Sequence, residues 1–140
     1  MEFDPGKLLV RLDVTIPADV SAISAVVDGI MHTVKQMECA AGKEFAIETA
    51  LREALANAII HGAKKDPMKQ IQCSVACDVQ RGMLIVVRDP GEGFDPNRLP
   101  SPLKGQNLFS DHGRGIYLIN TLMDEVRYER GGTEIHMRKY

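Results

Sequence analysis

Glu53, Asn57 and His61 recur every four residues between Leu51 and Gly62. On an α-helix that spacing stacks side chains on one face, a turn apart. A carboxylate and a carboxamide so placed can act together on one bound ion or water. Leu51, Leu55 and Ile59 run beside them as an apolar stripe that a packed helix buries. Taken alone, the row is also what a solvated face with an ordinary acid, amide and histidine looks like. Two further stretches carry chemistry. In Asp89-Pro90-Gly91-Glu92-Gly93 an acid leaves a strand beside two glycines. The acid can accept a bond from a ligand amine, and glycine lets a ligand or backbone come close because it has no Cβ. The same residue types also build plain surface turns. Gly113-Arg114-Gly115 stands at the start of a helix. A helix N-terminus offers unpaired N–H groups and a partial positive charge, which suits phosphate, and Arg114 adds a permanent charge. A glycine-rich loop with a solvated arginine has the same sequence.

The elements that position these residues emerge from hydrophobic periodicity. Leu8, Val10, Leu12, Val14 and Ile16 alternate with Leu9, Arg11, Asp13 and Thr15, a half-buried strand that Pro17 stops. Asp19 or Ser21 can cap the next element. Val20, Ile23, Val27, Ile30, Val34 and Met37 predict a first helix to about Cys39 or Ala40, closed by Gly42 in a left-handed cap. The second helix, from about Lys43 to Ile60, carries the polar row and ends at Gly62. Ile71, Cys73, Val75, Cys77 and Val79 predict a second strand. After Gln80-Arg81-Gly82 comes a third, Met83 to Arg88, paired to it as an antiparallel hairpin. Its unbroken apolar run suits a central strand covered on both faces. Pro96 to His112 has no periodicity, and a structureless stretch of that length inside a domain is often a functional lid. A third helix is predicted from about Ile116 to Met123. Val126 and Tyr128 lie in a fourth strand, Gly131-Gly132 forms a two-residue hairpin turn, and Ile135, Met137 and Lys139 share a face of the last strand.

Composition narrows the class. With 140 residues, 44% hydrophobic and 26% charged, the chain has the size and usage of one folded domain spanning 1–140. A net charge of -2 argues against a nucleic-acid binder that relies on a strongly basic surface. Aromatics at 5% and no Trp argue against a base-stacking surface. No secretory leader opens the sequence, and the longest apolar run, Met83 to Val87, is far too short to cross a bilayer. Cys39, Cys73 and Cys77 have no paired-ligand spacing. The expectation is a reduced, cytoplasmic protein without a membrane partner.

The order of the three sites sharpens their meaning. An acid-amide helix, a glycine-rich strand exit, a long loop and a glycine-rich helix start are the parts a nucleoside triphosphate site needs. Glu53 through Asn57 to His61-Gly62 resembles the N-box of the GHKL ATPase and kinase superfamily. Asp89 through Gly93 resembles its G1 box, and Gly113-Arg114-Gly115 its G2 box. Size, spacing and the closing segment Gly131-Gly132-Thr133-Glu134 look most like the anti-sigma-factor serine/threonine protein kinases of bacterial partner-switching systems. Ala63 stands where relatives commonly carry an aromatic residue. The resemblance implies an α/β (α+β) two-layer sandwich of the histidine-kinase-type ATPase domain, with a mixed, mostly antiparallel sheet and three helices on one face.

It also implies roles. Asn57 would ligate Mg²⁺, a hard cation that prefers oxygen. Glu53 would orient or deprotonate the attacking hydroxyl. Asp89 would accept from the adenine amino group of ATP, with Gly91 and Gly93 allowing the base close to backbone. Gly113, Arg114 and Gly115 would hold the β and γ phosphates. His61 would support the site rather than touch phosphate. Lys104, in the long loop, could reach the γ-phosphate, although a solvated lysine is the commoner case, and Arg98 is a weaker candidate still. The implied function is an anti-sigma factor and kinase that phosphorylates an anti-anti-sigma antagonist protein and binds a sigma factor. An ATP-dependent interaction module without turnover is the rival, and so is a partner-switching kinase that does not act on a sigma factor. The first strand's exposed face leaves room for a homodimer, though nothing in the spacing demands one.

Overall fold

In the computed structural model, residues 8–78, 80–91 and 111–140 are described. Strand β1 (Leu8–Pro17) leads through a 3₁₀ turn, Val20–Ala22, into helix α1 (Ile23–Gln36). Helix α2 (Glu44–Asn57) continues into one π-helical turn, Ala58–Gly62. Strands β2 (Gln70–Asp78) and β3 (Gly82–Arg88) come next. Helix α3 (Asp111–Leu122), β4 (Glu125–Glu129), a 3₁₀ turn at Arg130–Gly132 and β5 (Glu134–Lys139) complete the chain.

The five strands form one sheet in the order β1-β2-β3-β5-β4. Every pairing among them is antiparallel, so the sheet expected to be mixed has no parallel pair among the described strands. The α/β two-layer arrangement is as expected. One sheet face carries Ile16, Ile71, Cys73, Val75, Cys77, Met83, Ile85, Val87 and Met137 into a core shared with the helices. Those helices contribute Val27, Met31 and Val34 from α1, Leu51 and Leu55 from α2, and Ile119 from α3. Period-two alternation puts these strand residues on one side, and the helical stripes meet them.

Several boundaries differ from expectation. Asp19 does cap the 3₁₀ turn, its Oδ1 accepting from the Ser21 N–H at 2.9 Å. However, α1 stops at Gln36, because Glu38 takes a left-handed backbone (φ 57°). Gly42 is also left-handed (φ 81°), but it belongs to the turn into α2. Val20 and Met37, expected to be buried, lie at the two ends of the α1 stripe and are 47% and 45% exposed. Helix α3 starts five residues earlier than predicted and takes in Gly113 and Gly115. The hairpin turn between β4 and β5 is longer than two residues: Arg130, Gly131 and Gly132 all have positive φ before Thr133 leads into β5. Strand β3 is central, but helices cover only one of its faces. On the other, Leu84 sits between its register partners Ala76 and Arg138.

Candidate functional site

Glu53 and Asn57 are half-buried on the last two α-helical turns of α2, where the helix packs against α3. The approach is close at Gly115. A Cβ built there would lie 2.8 Å from Glu53 Oε2 and 3.2–3.3 Å from the amide atoms of Asn57. A side chain there would force Glu53 out of its present place, and glycine leaves room for both. Gly113 and Arg114 fall in the opening turn of α3, whose first N–H groups have no intrahelical partners. The acid and the amide of the first motif therefore lie against α3 at Gly115 of the third.

Beyond Asn57 the winding changes. The Ala63 N–H donates to the Ala58 carbonyl at 2.8 Å, a five-residue closure, and the Lys65 N–H donates to the Ile59 carbonyl at 2.8 Å. Lys64 and Lys65 adopt left-handed backbone (φ 54° and 58°) to end the helix. Single π turns are rare and concentrate at functional sites. Here the turn delivers Gly62 to the exit of β3. A Cβ on Gly62 would overlap the carboxylate of Asp89, and a Cβ on Gly91 would overlap the Gly62 carbonyl oxygen. The end of α2 and the Asp89–Gly91 segment are thus packed backbone to backbone.

Asp89 is fixed from two sides. Its N–H donates to the Thr133 carbonyl at 2.9 Å, and its Oδ1 accepts from the Gly91 N–H at 2.7 Å. A carboxylate has about four acceptor positions, so a ligand amine can still be bound. Burial pushes the Asp89 carboxyl above its ordinary value, and the Gly91 N–H offsets part of that rise.

The structure therefore brings Glu53, Asn57 and Gly115 together at one place, and Gly62, Asp89 and Gly91 at a second. Helix α2 runs from one to the other. His61 lies in the π turn and is exposed, so the regular four-residue row of Glu53, Asn57 and His61 is interrupted before its last member. Gly93, Arg98 and Lys104 lie outside the described residues, and of Gly113 and Arg114 only the helical backbone is described. For two participants the contact itself has no local mark in the sequence. Gly62 reads there as a helix terminator, yet its missing Cβ is what admits Asp89. Thr133, whose carbonyl holds the Asp89 N–H, has no local signal, because that bond depends on β3–β5 pairing. The donor chemistry suits a hard cation. Glu53 and Asn57 offer oxygen, and no group of three or more His, Cys, Asp or Glu gathers among the described residues. Mg²⁺ needs few protein ligands when phosphates and water complete its shell.

A family described as the histidine kinase-like ATPase domain matches residues 16–139. Among individual proteins, an anti-sigma F factor of Clostridium novyi is 34% identical over 100 residues, covering 66% of this chain and 68% of that protein. The serine-protein kinase RsbW of Bacillus subtilis is 33% identical over 102 residues, 67% of this chain and 62% of that protein. The RsbW of Staphylococcus aureus strain Newman is 33% identical over 98 residues, 65% and 62%. The match thus spans less than two thirds of either RsbW protein's length.

Proposed function

Because this chain belongs to the histidine kinase-like ATPase domain family, we propose that it is an ATP-dependent protein serine/threonine kinase of the partner-switching kind. Its substrate in this reading is a small anti-anti-sigma antagonist protein, and it also restrains a sigma factor. The names of its relatives, anti-sigma F factor and serine-protein kinase, support both halves. The observation that carries the reading is the crossing of α2 and α3, where Gly115 leaves space for Glu53 and Asn57 together. No described helix is long and apolar enough to cross a membrane. We place the protein in the cytoplasm, where such partners reside.

ATP bound with Mg²⁺ would supply the transferable phosphoryl group. The chain's own groups then have separate tasks. Asn57 would offer its carboxamide oxygen to Mg²⁺, which would neutralise phosphate charge. Glu53 takes the proton from the substrate's Ser or Thr hydroxyl as its oxygen bonds to phosphorus and the bond to ADP breaks. Gly113, Arg114 and Gly115, in the opening turns of α3, would hold the β and γ phosphates through the N–H groups the first turn leaves unpaired and the Arg114 charge. Asp89 accepts from the adenine amino group, while Gly91 and Gly93 let the base lie against backbone. Such transfer depends mainly on positioning and charge neutralisation. His61 and Lys104 take supporting roles.

A titration with a labelled ATP analogue, with and without Mg²⁺, tests the common basis. Saturable binding that strengthens with Mg²⁺ is expected, and its absence overturns the reading. Transfer of a γ-label to a serine or threonine of an antagonist protein tests the enzymatic half.

A further inference from the structure

The face of the sheet that carries no helix holds a buried carboxylate. Glu134, the first residue of β5, has only 4% of its side chain exposed, on the face opposite the helices. Its Oε2 accepts from Arg88 Nε at 2.5 Å and forms an ion pair with Arg130, whose Nε lies 3.0 Å away. Its Oε1 lies 3.0 Å from His136 Nε2. Arg88 reaches on to Gln72 Oε1 at 3.2 Å. Side chains of β3, β5 and the turn before β5 thus meet on one carboxylate, and β2 joins them through Arg88.

The position of this cluster matters more than its size. Arg88 and Glu134 are register partners on β3 and β5. The next residue on β3 is Asp89, and the residue before Glu134 is Thr133. Those two are joined by the Asp89 N–H to Thr133 carbonyl bond of 2.9 Å. Arg130, held by Glu134, has a left-handed backbone (φ 50°) that a non-glycine residue adopts at a cost. The same turn is tied to Thr133, whose Oγ1 donates to the Arg130 carbonyl at 2.9 Å. The cluster therefore grips both strands one residue from the pair that fixes Asp89, and it does so from the opposite side of the sheet.

We propose that Glu134 is a positioning residue for base recognition: by clamping Arg88 and Arg130 it holds Asp89 at the place where its carboxylate reads the exocyclic amino group of a purine nucleotide. The proposal rests on the assignment of Asp89 to the adenine amine. A rim ion pair between exposed groups would contribute little. Glu134 differs because it is buried, so removing its charge leaves Arg88 and Arg130 without their common anchor.

The test compares two nucleotides on the full chain with Mg²⁺, by calorimetry. One is ATP; the other is purine riboside 5′-triphosphate, which lacks the 6-amino group. The wild-type chain is expected to prefer ATP. Glu134→Gln is expected to lower ATP affinity about tenfold and to change affinity for the purine analogue by less than about twofold, so the preference collapses. Arg88→Gln breaks the same pair from its 46% exposed side and carries the same expectation should the first variant fold poorly. Retained preference in either folded variant overturns the proposal. So does an equal loss for both nucleotides, which is what general loosening of the fold produces. A wild-type chain that binds no ATP overturns the functional reading itself. One that binds ATP without preference overturns the Asp89 assignment, and the clamp falls with it.

Discussion

Gly115 and Glu53 stand so close that a single added carbon on the glycine would come within 2.8 Å of the carboxylate Oε2. The obstructed atom is the far end of a flexible side chain, so the fold can absorb the change by moving Glu53. Gly115→Ala is therefore expected to fold. Its melting temperature should not fall, since Ala is favoured over Gly inside a helix by about 1 kcal/mol. Phosphoryl transfer should drop about a hundredfold, because a displacement near 1 Å costs that much at a reacting centre. Thermal melts and steady-state transfer rates check both parts. A full-rate variant would remove Glu53 from the chemistry.

Glu53 and Asn57 are one turn apart and have different assignments, which a pair of variants separates. Glu53→Gln should retain Mg²⁺-dependent ATP binding and lose transfer by about 10²–10⁴-fold, the range of general-base catalysis. Asn57→Ala should blunt the Mg²⁺ dependence of binding. Fluorescence titrations at several Mg²⁺ concentrations, set beside transfer rates, distinguish the two. Unchanged transfer in Glu53→Gln would rule out the proposed base.

Asp89 is held at a cost to folding stability. Burial raises its carboxyl above the ordinary aspartate value, so the folded chain binds the proton more tightly than the unfolded chain. Stability then falls as pH rises from the ordinary range through the folded value. Asp89→Asn keeps an oxygen for the Gly91 N–H and removes the charge. It should melt higher than wild type at pH 7, with the gain shrinking as the wild-type carboxyl protonates in acid. ATP affinity should fall about tenfold or more. Melts from pH 3 to pH 8 and one binding isotherm give the answer. A variant less stable at pH 7 contradicts the account.

Glu134 titrates in the opposite sense. Burial pushes its carboxyl up, but the hydrogen bonds from His136 and Arg88 and the charges of Arg88 and Arg130 outweigh that and leave it below the ordinary glutamate range. Its contribution is present above the ordinary range and is lost as pH falls through the folded value. Acid denaturation of the wild type should therefore include a component that Glu134→Gln lacks. Urea midpoints at descending pH measure it. Parallel curves for the two proteins would count against the ion cluster.

Much of this architecture is legible in periodicity. The β1 and β2 alternations, the Leu51–Leu55–Ile59 stripe and the order of the three motifs are all local patterns, and the helices and strands appear where those patterns lie. The features that periodicity misses depend on neighbours distant in sequence. Nothing in Ala58-Ile59-Ile60-His61-Gly62 marks a π turn, which exists because Gly62 docks on Asp89. Gly113 and Gly115 argue against an early helix start by propensity alone, whereas packing on α2 overrides that weak preference. Local spacing does not mark Glu134 as buried, and its burial comes from two arginines that the fold brings to it. Met37 continues an apolar stripe past the point where Glu38 turns left-handed.

The π turn also makes the α2 region a length buffer. One surplus residue is stored between Asn57 and Ala63, so a deletion there, for instance of Ile60, lets ordinary winding resume with both flanks close to their present phase. A deletion upstream, between Glu44 and Asn57, has no such slack and swings everything before it by about 100° and about 1.5 Å per residue relative to the site. Length variation in this helix is therefore tolerable at one turn and ruinous at the others.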